Sequence, residues 1–205
     1  MKDVDKANFI NSTKIIAVSK TFQIDRILPL IKYGHLDFGE NKVQEAIEKW
    51  TDIKKEYSSI KLHMIGKLQT NKVKFVIPLF DYIHSLDNYK LAKKISDEQK
   101  KNNRKLKIFI QINIGNESQK SGIDPSLLSE FYKSCIYDLN LDIIGIMCLP
   151  PIENDNNFYF HEMTKLIKKI SAKELSMGMS SDYLTAFISG ASFLRIGSKI
   201  FGKRA

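Results

Sequence analysis

Cysteine, arginine and long apolar runs are all scarce in this 205-residue chain, and each scarcity removes a class of protein. Its two cysteines, Cys135 and Cys148, form neither a CxxC pair nor a disulfide framework, which fits a reducing compartment. No apolar stretch approaches the roughly 18 residues that a membrane span needs. Residues 1–13 are polar and charged, without the apolar run of a secretory signal. The expectation is a soluble, cytoplasmic protein with no membrane partner. All but four of the 32 Lys and Arg residues are lysines. Arginine is the side chain best suited to bidentate recognition of bases and phosphates, and no RNP, zinc-finger or arginine-rich pattern takes its place. With only five prolines and ten glycines, no low-complexity tract and no repeat period, nothing splits the chain.

What is abundant is lysine, giving a formal net charge of +9. The lysines are scattered along helix-like segments, as at Lys54, Lys55, Lys93, Lys94, Lys168 and Lys169, and do not form one block. A solvated face accounts for them, and no nucleic-acid partner is expected. A barrel that binds nucleic acid through this surface is the competing reading, and it predicts affinity that falls steeply with salt. In either case the charge favours small anionic ligands through long-range attraction.

Short apolar runs alternate with longer amphipathic segments eight times. The strand-like runs are 15–19, 37–39, 62–65, 81–84, 107–113, 142–147, 174–177 and 193–196. The helix-like stretches are 24–33, 42–55, 70–79, 89–101, 125–138, 158–172, 181–189 and the brief 198–201. Eight β-then-α units with crossovers of helical length predict a parallel (β/α)8 TIM barrel filling one domain over 1–205. An open doubly wound sheet is the alternative, since strand count does not prove closure. Gly34 and Gly190 stand where helices would end in a left-handed residue. Asp124 followed by Pro125 reads as a capped helix start. Ser180 or Ser181 can cap the segment beyond.

Barrel sites collect at the C-terminal ends of strands, with phosphate sites after strands seven and eight. Lys20 closes the apolar run from Ile15, where an amine cannot easily reach bulk water. Desolvation disfavours the ammonium and leaves a neutral nucleophile able to form a Schiff base with an aldehyde. A lysine that merely wets the surface is the competing reading. Ser180, after strand seven, and Gly197 with Ser198, after strand eight, read as an anion cradle or as tight turns. A reactive lysine beside a phosphate cradle suggests a phosphate-bearing aldehyde, of which pyridoxal 5′-phosphate (PLP) is the common one. Arg195 would then face the ring nitrogen, donating to an unprotonated acceptor because a guanidinium can only donate. Asn41 is a partner for the ring hydroxyl, or else a cap or turn residue.

The motifs Ala17-Val18-Ser19-Lys20-Thr21, Phe38-Gly39-Glu40-Asn41, His63-Met64-Ile65-Gly66-Lys67-Leu68-Gln69 and Leu175-Ser176-Met177-Gly178-Met179-Ser180, closed by Arg195-Ile196-Gly197, resemble the YggS/PROSC family of pyridoxal phosphate homeostasis proteins. The resemblance runs from about Ile15 to the end. It implies a barrel of the alanine racemase N-terminal type, with PLP on Lys20 and its phosphate near Ser180, Gly197 and Ser198. It also implies a role in vitamin B6 homeostasis, holding PLP for storage or transfer to PLP-dependent apo-enzymes, without established turnover. The chain departs from the family in having only fourteen residues ahead of Ile15, so that the helix before strand one is expected to be shortened or missing. The alternative is an amino-acid racemase of the alanine racemase type. That chemistry needs a base on each face of the cofactor, one of them from a separate C-terminal domain, and the sequence stops after the eighth unit. The expectation is therefore a carrier, taken to be a monomer. Tyr183 and His63 are possible acids or bases, set against helix packing for the first and a structural hydrogen bond for the second.

Overall fold

Strands that bury both faces read as apolar runs, and parallel pairing of such strands requires a crossover that packs back on the sheet. The structure, a computed structural model describing residues 13–117, 119–151 and 156–202, follows that logic throughout. In order come β1 (Lys14–Val18), α1 (Ile24–Lys32), β2 (Asp37–Glu40), α2 (Val43–Glu56), β3 (Lys61–Met64), α3 (Val73–Leu79), β4 (Tyr82–Leu86) and α4 (Tyr89–Asn102). They are followed by β5 (Lys107–Ile112), α5 (Leu128–Lys133), β6 (Asp142–Cys148), α6 (Asn156–Leu166), β7 (Glu174–Met179), α7 (Tyr183–Ile188), β8 (Phe193–Ile196) and α8 (Ser198–Phe201). The strands close in sequence order into one parallel barrel. Closure is carried by β1 against β8, with Ile16 opposite Arg195 and Ala17 opposite Ile196, which removes the open-sheet alternative. The expected shortening of a helix ahead of β1 concerns residues 1–12, outside the described residues.

Local signals behave as their chemistry dictates. Gly34 and Gly190 hold φ of 98° and 91° after α1 and α7. Asp124 accepts the Ser126 amide at 2.8 Å, with Pro125 heading the turn that leads into α5. Two helices are less regular than their periodicity suggests. Segment 125–138 is a composite of a 3-10 turn at Pro125–Leu127, α5, and π-helical Ser134–Asp138. α6 gives way to a 3-10 turn at Ile167–Lys169, short of the predicted residue 172.

Alternation along each strand divides the core in two. Outward residues such as Ala17, Phe38, Leu62, Ile83, Ile108, Ile146 and Leu194 meet the helices in a large apolar layer that includes Trp50 and Phe160. Inward residues form a much smaller cluster: Ile16, Tyr82, Phe109, Met147 and Phe193. The rest of the lumen is polar. His63, His84, Ser176 and Arg195 are all buried there. Trp50, fully buried on α2, anchors that helix through its ring on Phe38, 4.9 Å between centroids. Among the described residues no helix is long and apolar enough to cross a membrane.

Candidate functional site

Lys20 leaves the end of β1 with the parity of Ile16 and Val18, and Ile16 belongs to the lumen cluster. It is half-buried, not sealed from water as its apolar run suggested. The strand ends two residues earlier, and Thr21 takes a left-handed φ of 69°, turning the chain outward at the rim. A β-branched residue holds that conformation only when its surroundings enforce it.

The enforcement comes from α2 and β2. Glu40 Oε1 accepts from Ser19 Oγ at 2.7 Å, Lys49 Nζ at 2.9 Å and Trp50 Nε1 at 2.9 Å. Lys49 Nζ also donates to the Ser19 carbonyl and to Glu45 Oε1, each at 2.9 Å, and Glu45 accepts the Thr21 amide. Burial works to raise the Glu45 pKa, but hydrogen bonds from Lys49 and the Thr21 amide hold it below its usual value. The residues on either side of Lys20 are thereby fixed by charge-assisted bonds, the stronger class. Sequence reasoning missed Lys49 and Trp50 here. The usable signal was Glu40, a carboxylate ending an otherwise buried strand.

At the other end of the chain, the Gly197 amide donates to Ser180 Oγ at 3.1 Å, joining the loops after β7 and β8. A Cβ on Gly197 would lie 3.4 Å from Val18, so this junction rests directly on the end of β1. Ser198 is exposed and opens α8, where the first amides of a helix have no acceptor within it. Ser180 does not cap α7. Asp182 occupies the N-cap position and accepts the Met179 amide at 2.6 Å, which leaves the Ser180 hydroxyl oxygen to Gly197.

Arg195 lies below the rim, buried in the lumen. Nη1 donates to Ser176 Oγ at 2.7 Å and Nη2 to the Cys148 carbonyl at 2.8 Å, using two of its five N–H groups. The Cys148 thiol is pushed up to about 12 by burial and is inert as a nucleophile at neutral pH. Asn41 is not a cap, because Lys42 takes that position on α2. Its backbone is pressed by Gly66, where a Cβ would fall 2.3 Å from the Asn41 carbonyl oxygen. Tyr183 packs half-buried against the outer core, and His63 bonds to Asp37 and His84, so both take the structural role foreseen for them.

Lys20, Asn41, Ser180, Arg195, Gly197 and Ser198 thus stand at or just below the ends of β7, β8, β1 and β2, four consecutive staves of the closed barrel. The arc offers an amine, a hydroxyl with helix-start amides, and a guanidinium. That donor set suits an anionic carbonyl compound carrying an acceptor atom. Among the described residues no group of three His, Cys, Asp or Glu side chains is arranged to hold a metal.

Comparison with known proteins places the chain in a family. Residues 5–205 match the family described as alanine racemase, N-terminal domain. A pyridoxal phosphate homeostasis protein of Aquifex aeolicus is 35% identical over 95% of this chain and 88% of its own length. Its namesake in Escherichia coli K12 is 32% identical over 93% and 85%. Among solved structures, PipY of Synechococcus elongatus without PLP superposes with a TM-score of 0.88 at 30% identity over 97% of both chains, and PipY with PLP bound gives 0.85. Alanine racemase of Bartonella henselae, with covalently bound pyridoxal phosphate, superposes at 0.71 with 17% identity over 61% of its chain, a likeness of fold alone.

Proposed function

Since the chain belongs to the alanine racemase N-terminal domain family, and within it to the pyridoxal phosphate homeostasis proteins, we propose that it holds PLP on Lys20 and keeps it available for storage or transfer. The observation that carries this reading is a contact. Gly197, tied to Ser180, sits against Val18 two residues before Lys20, so an amine and an anion cradle share one stretch of rim. When bound, PLP supplies an aldehyde that condenses with a lysine amine, releasing water, and a phosphate to anchor it.

The remaining work belongs to the chain's own residues. Ser180 and Ser198 would hold the phosphate through their hydroxyls and the amides that open α8, with Gly197 leaving room for the oxygens to approach. Arg195 would donate to the ring nitrogen and, unable to accept a hydrogen bond from a protonated one, would favour that nitrogen unprotonated. Asn41 would meet the ring hydroxyl; its side chain forms no hydrogen bond among the described residues and is at hand for one. The Glu40–Lys49 bridge holds the Lys20 backbone still. PLP-dependent apo-enzymes are the recipients that this role calls for.

Borohydride trapping tests the site. Protein mixed with PLP and reduced should carry one adduct on Lys20, and Lys20→Ala should lose both the adduct and the visible absorption band. Modification spread over surface lysines, undiminished in Lys20→Ala, would overturn the assignment. The relatives' names support a carrier over an enzyme. D-alanine formed from L-alanine at enzymatic rates, and abolished by Lys20→Ala, would reverse that choice.

A further inference from the structure

The lumen holds a polar chain that the site does not account for. Asp37 Oδ1 lies 2.9 Å from His63 Nε2, His63 Nδ1 2.9 Å from His84 Nε2, and His84 Nδ1 2.9 Å from Ser176 Oγ, to which Arg195 Nη1 donates at 2.7 Å. Asp37 opens β2 at the base of the barrel, and Arg195 sits near the end of β8, so the four bonds run through the lumen from base to mouth. Both imidazoles are clamped face to face by aromatic rings, His63 on Tyr82 at 4.1 Å and His84 on Phe109 at 4.3 Å.

We propose that Asp37, His63, His84 and Ser176 are positioning residues forming a one-way hydrogen-bond chain that fixes how Arg195 meets its ligand. The direction follows from the ends. A guanidinium only donates and an ionised carboxylate only accepts. With both histidines neutral, four bonds must share four hydrogens, and one arrangement satisfies them all. Arg195 donates to Ser176, the Ser176 hydroxyl to His84 Nδ1, His84 Nε2–H to His63 Nδ1, and His63 Nε2–H to Asp37. The rings suit this assignment. Burial lowers the pKa of His63 against the opposing pull of Asp37 and the more distant Asp81, with Lys14 adding to the lowering. Burial, with the Arg195 charge nearby, takes His84 well below its ordinary value. Burial would raise the Asp37 pKa, but the hydrogen bond from His63 and the nearby Lys14 charge hold it below its ordinary value.

Because the Ser176 hydrogen is committed to His84, Ser176 can only accept from Arg195. The guanidinium plane is then set between Ser176 and the Cys148 carbonyl, with its remaining N–H groups left for an acceptor atom of the ligand. Chains of this kind polarise, each bond strengthening the next, so the Asp37 charge is felt at Arg195. The importance of that coupling for PLP rests on the reading of Arg195 given above; the direction of the chain does not.

Histidine tautomers read the proposal directly. In unloaded protein labelled with 15N-histidine and 15N-arginine at neutral pH, His63 and His84 should both be neutral with the proton on Nε2. Asp37→Asn supplies an amide that can donate to His63, and should redistribute both rings toward Nδ1–H and shift the Arg195 guanidinium resonances. Ser176→Ala should release the tautomer of His84 while His63 keeps Nε2–H. In PLP-loaded protein, both variants should move the pH midpoint of the visible band by about 0.5 unit or more, a differential interaction of about 0.7 kcal/mol, Asp37→Asn by removing a charge from the lumen and Ser176→Ala by freeing the guanidinium plane. Doubly protonated rings, or Nδ1–H on either ring in the wild type, would overturn the chain even if Asp37→Asn fails to fold. So would Arg195 resonances and a band midpoint unchanged in both variants. Protein that takes up no PLP yet shows the stated tautomers would sink the cofactor reading alone, and the Arg195 resonances would then decide the coupling.

Discussion

The backbone on both sides of Lys20 is pinned by hydrogen bonds at Ser19 and Thr21. The Ser19 hydroxyl and carbonyl are both engaged, and the following amide is taken by Glu45. Lys49, with its side chain 8% exposed, neutralises a Glu40 side chain with no exposure at all. Removing one partner of such a pair leaves an uncompensated buried charge, so Lys49→Met is expected to cost about 3–5 kcal/mol. Urea unfolding would measure it, and Lys49→Met combined with Glu40→Gln should recover much of the loss. At this scale the sequence showed where the candidate residues stand: Lys20, Ser180, Arg195 and Gly197 all lie at or beside strand ends, as position implied. It was not legible across strands. His84 closes the strand-like run 81–84 with nothing in the sequence to say what it meets, and only the barrel's curvature brings it to Ser176, ninety-two positions away. Tyr82 and His84 share a face by alternation, which was the one available hint.

Elements meet more closely than their hydrophobic patterns reveal. Gly66, just past β3, leaves no room for a side chain against Asn41 at the end of β2. Because the obstacle is backbone, Gly66→Ala must displace one of the two loops, and overpacking of this kind costs about 1–3 kcal/mol. The expected outcome is a melting temperature lower by about 2–12 °C, with weaker PLP retention because Asn41 moves. Thermal melting and the decay of the visible band under dialysis would check the two effects. Strand and helix order was readable because period-two and period-3.6 patterns alternate cleanly. The bulges were not. β4 extends to Leu86 and β7 to Met179 through register shifts against β5 and β8, which depend on partners no single segment specifies.

The whole molecule carries its titratable burden inside the barrel. His63 and His84 both have lowered pKa values when folded, so below the ordinary histidine value of 6.5 the unfolded chain binds more protons than the folded one. Stability should therefore fall as pH drops from about 6.5 toward the folded values, at up to about 1.4 kcal/mol per pH unit for each ring. Asp37, also lowered, acts later: its contribution is present above 3.8 and is lost as pH falls through its folded value. Denaturant unfolding between pH 7 and 4.5 would show the slope, and His84→Gln should remove about half of it. Eight repeated units announced the barrel, but closure itself depends on the β1–β8 register, a pairing that nothing local to either strand encodes.

That pairing has a consequence for timing. Lys20 lies near the start of the chain and Ser180 and Gly197 near its end, and they become neighbours only across the seam where the last stave docks on the first. Bringing residues so far apart in sequence together carries a large loop-closure cost. A nascent or partly opened chain therefore possesses the amine without the cradle. Because a ligand that needs both binds the shut ring alone, its uptake stabilises that state by mass action and serves as an assay of completed assembly, coloured only when the seam has closed.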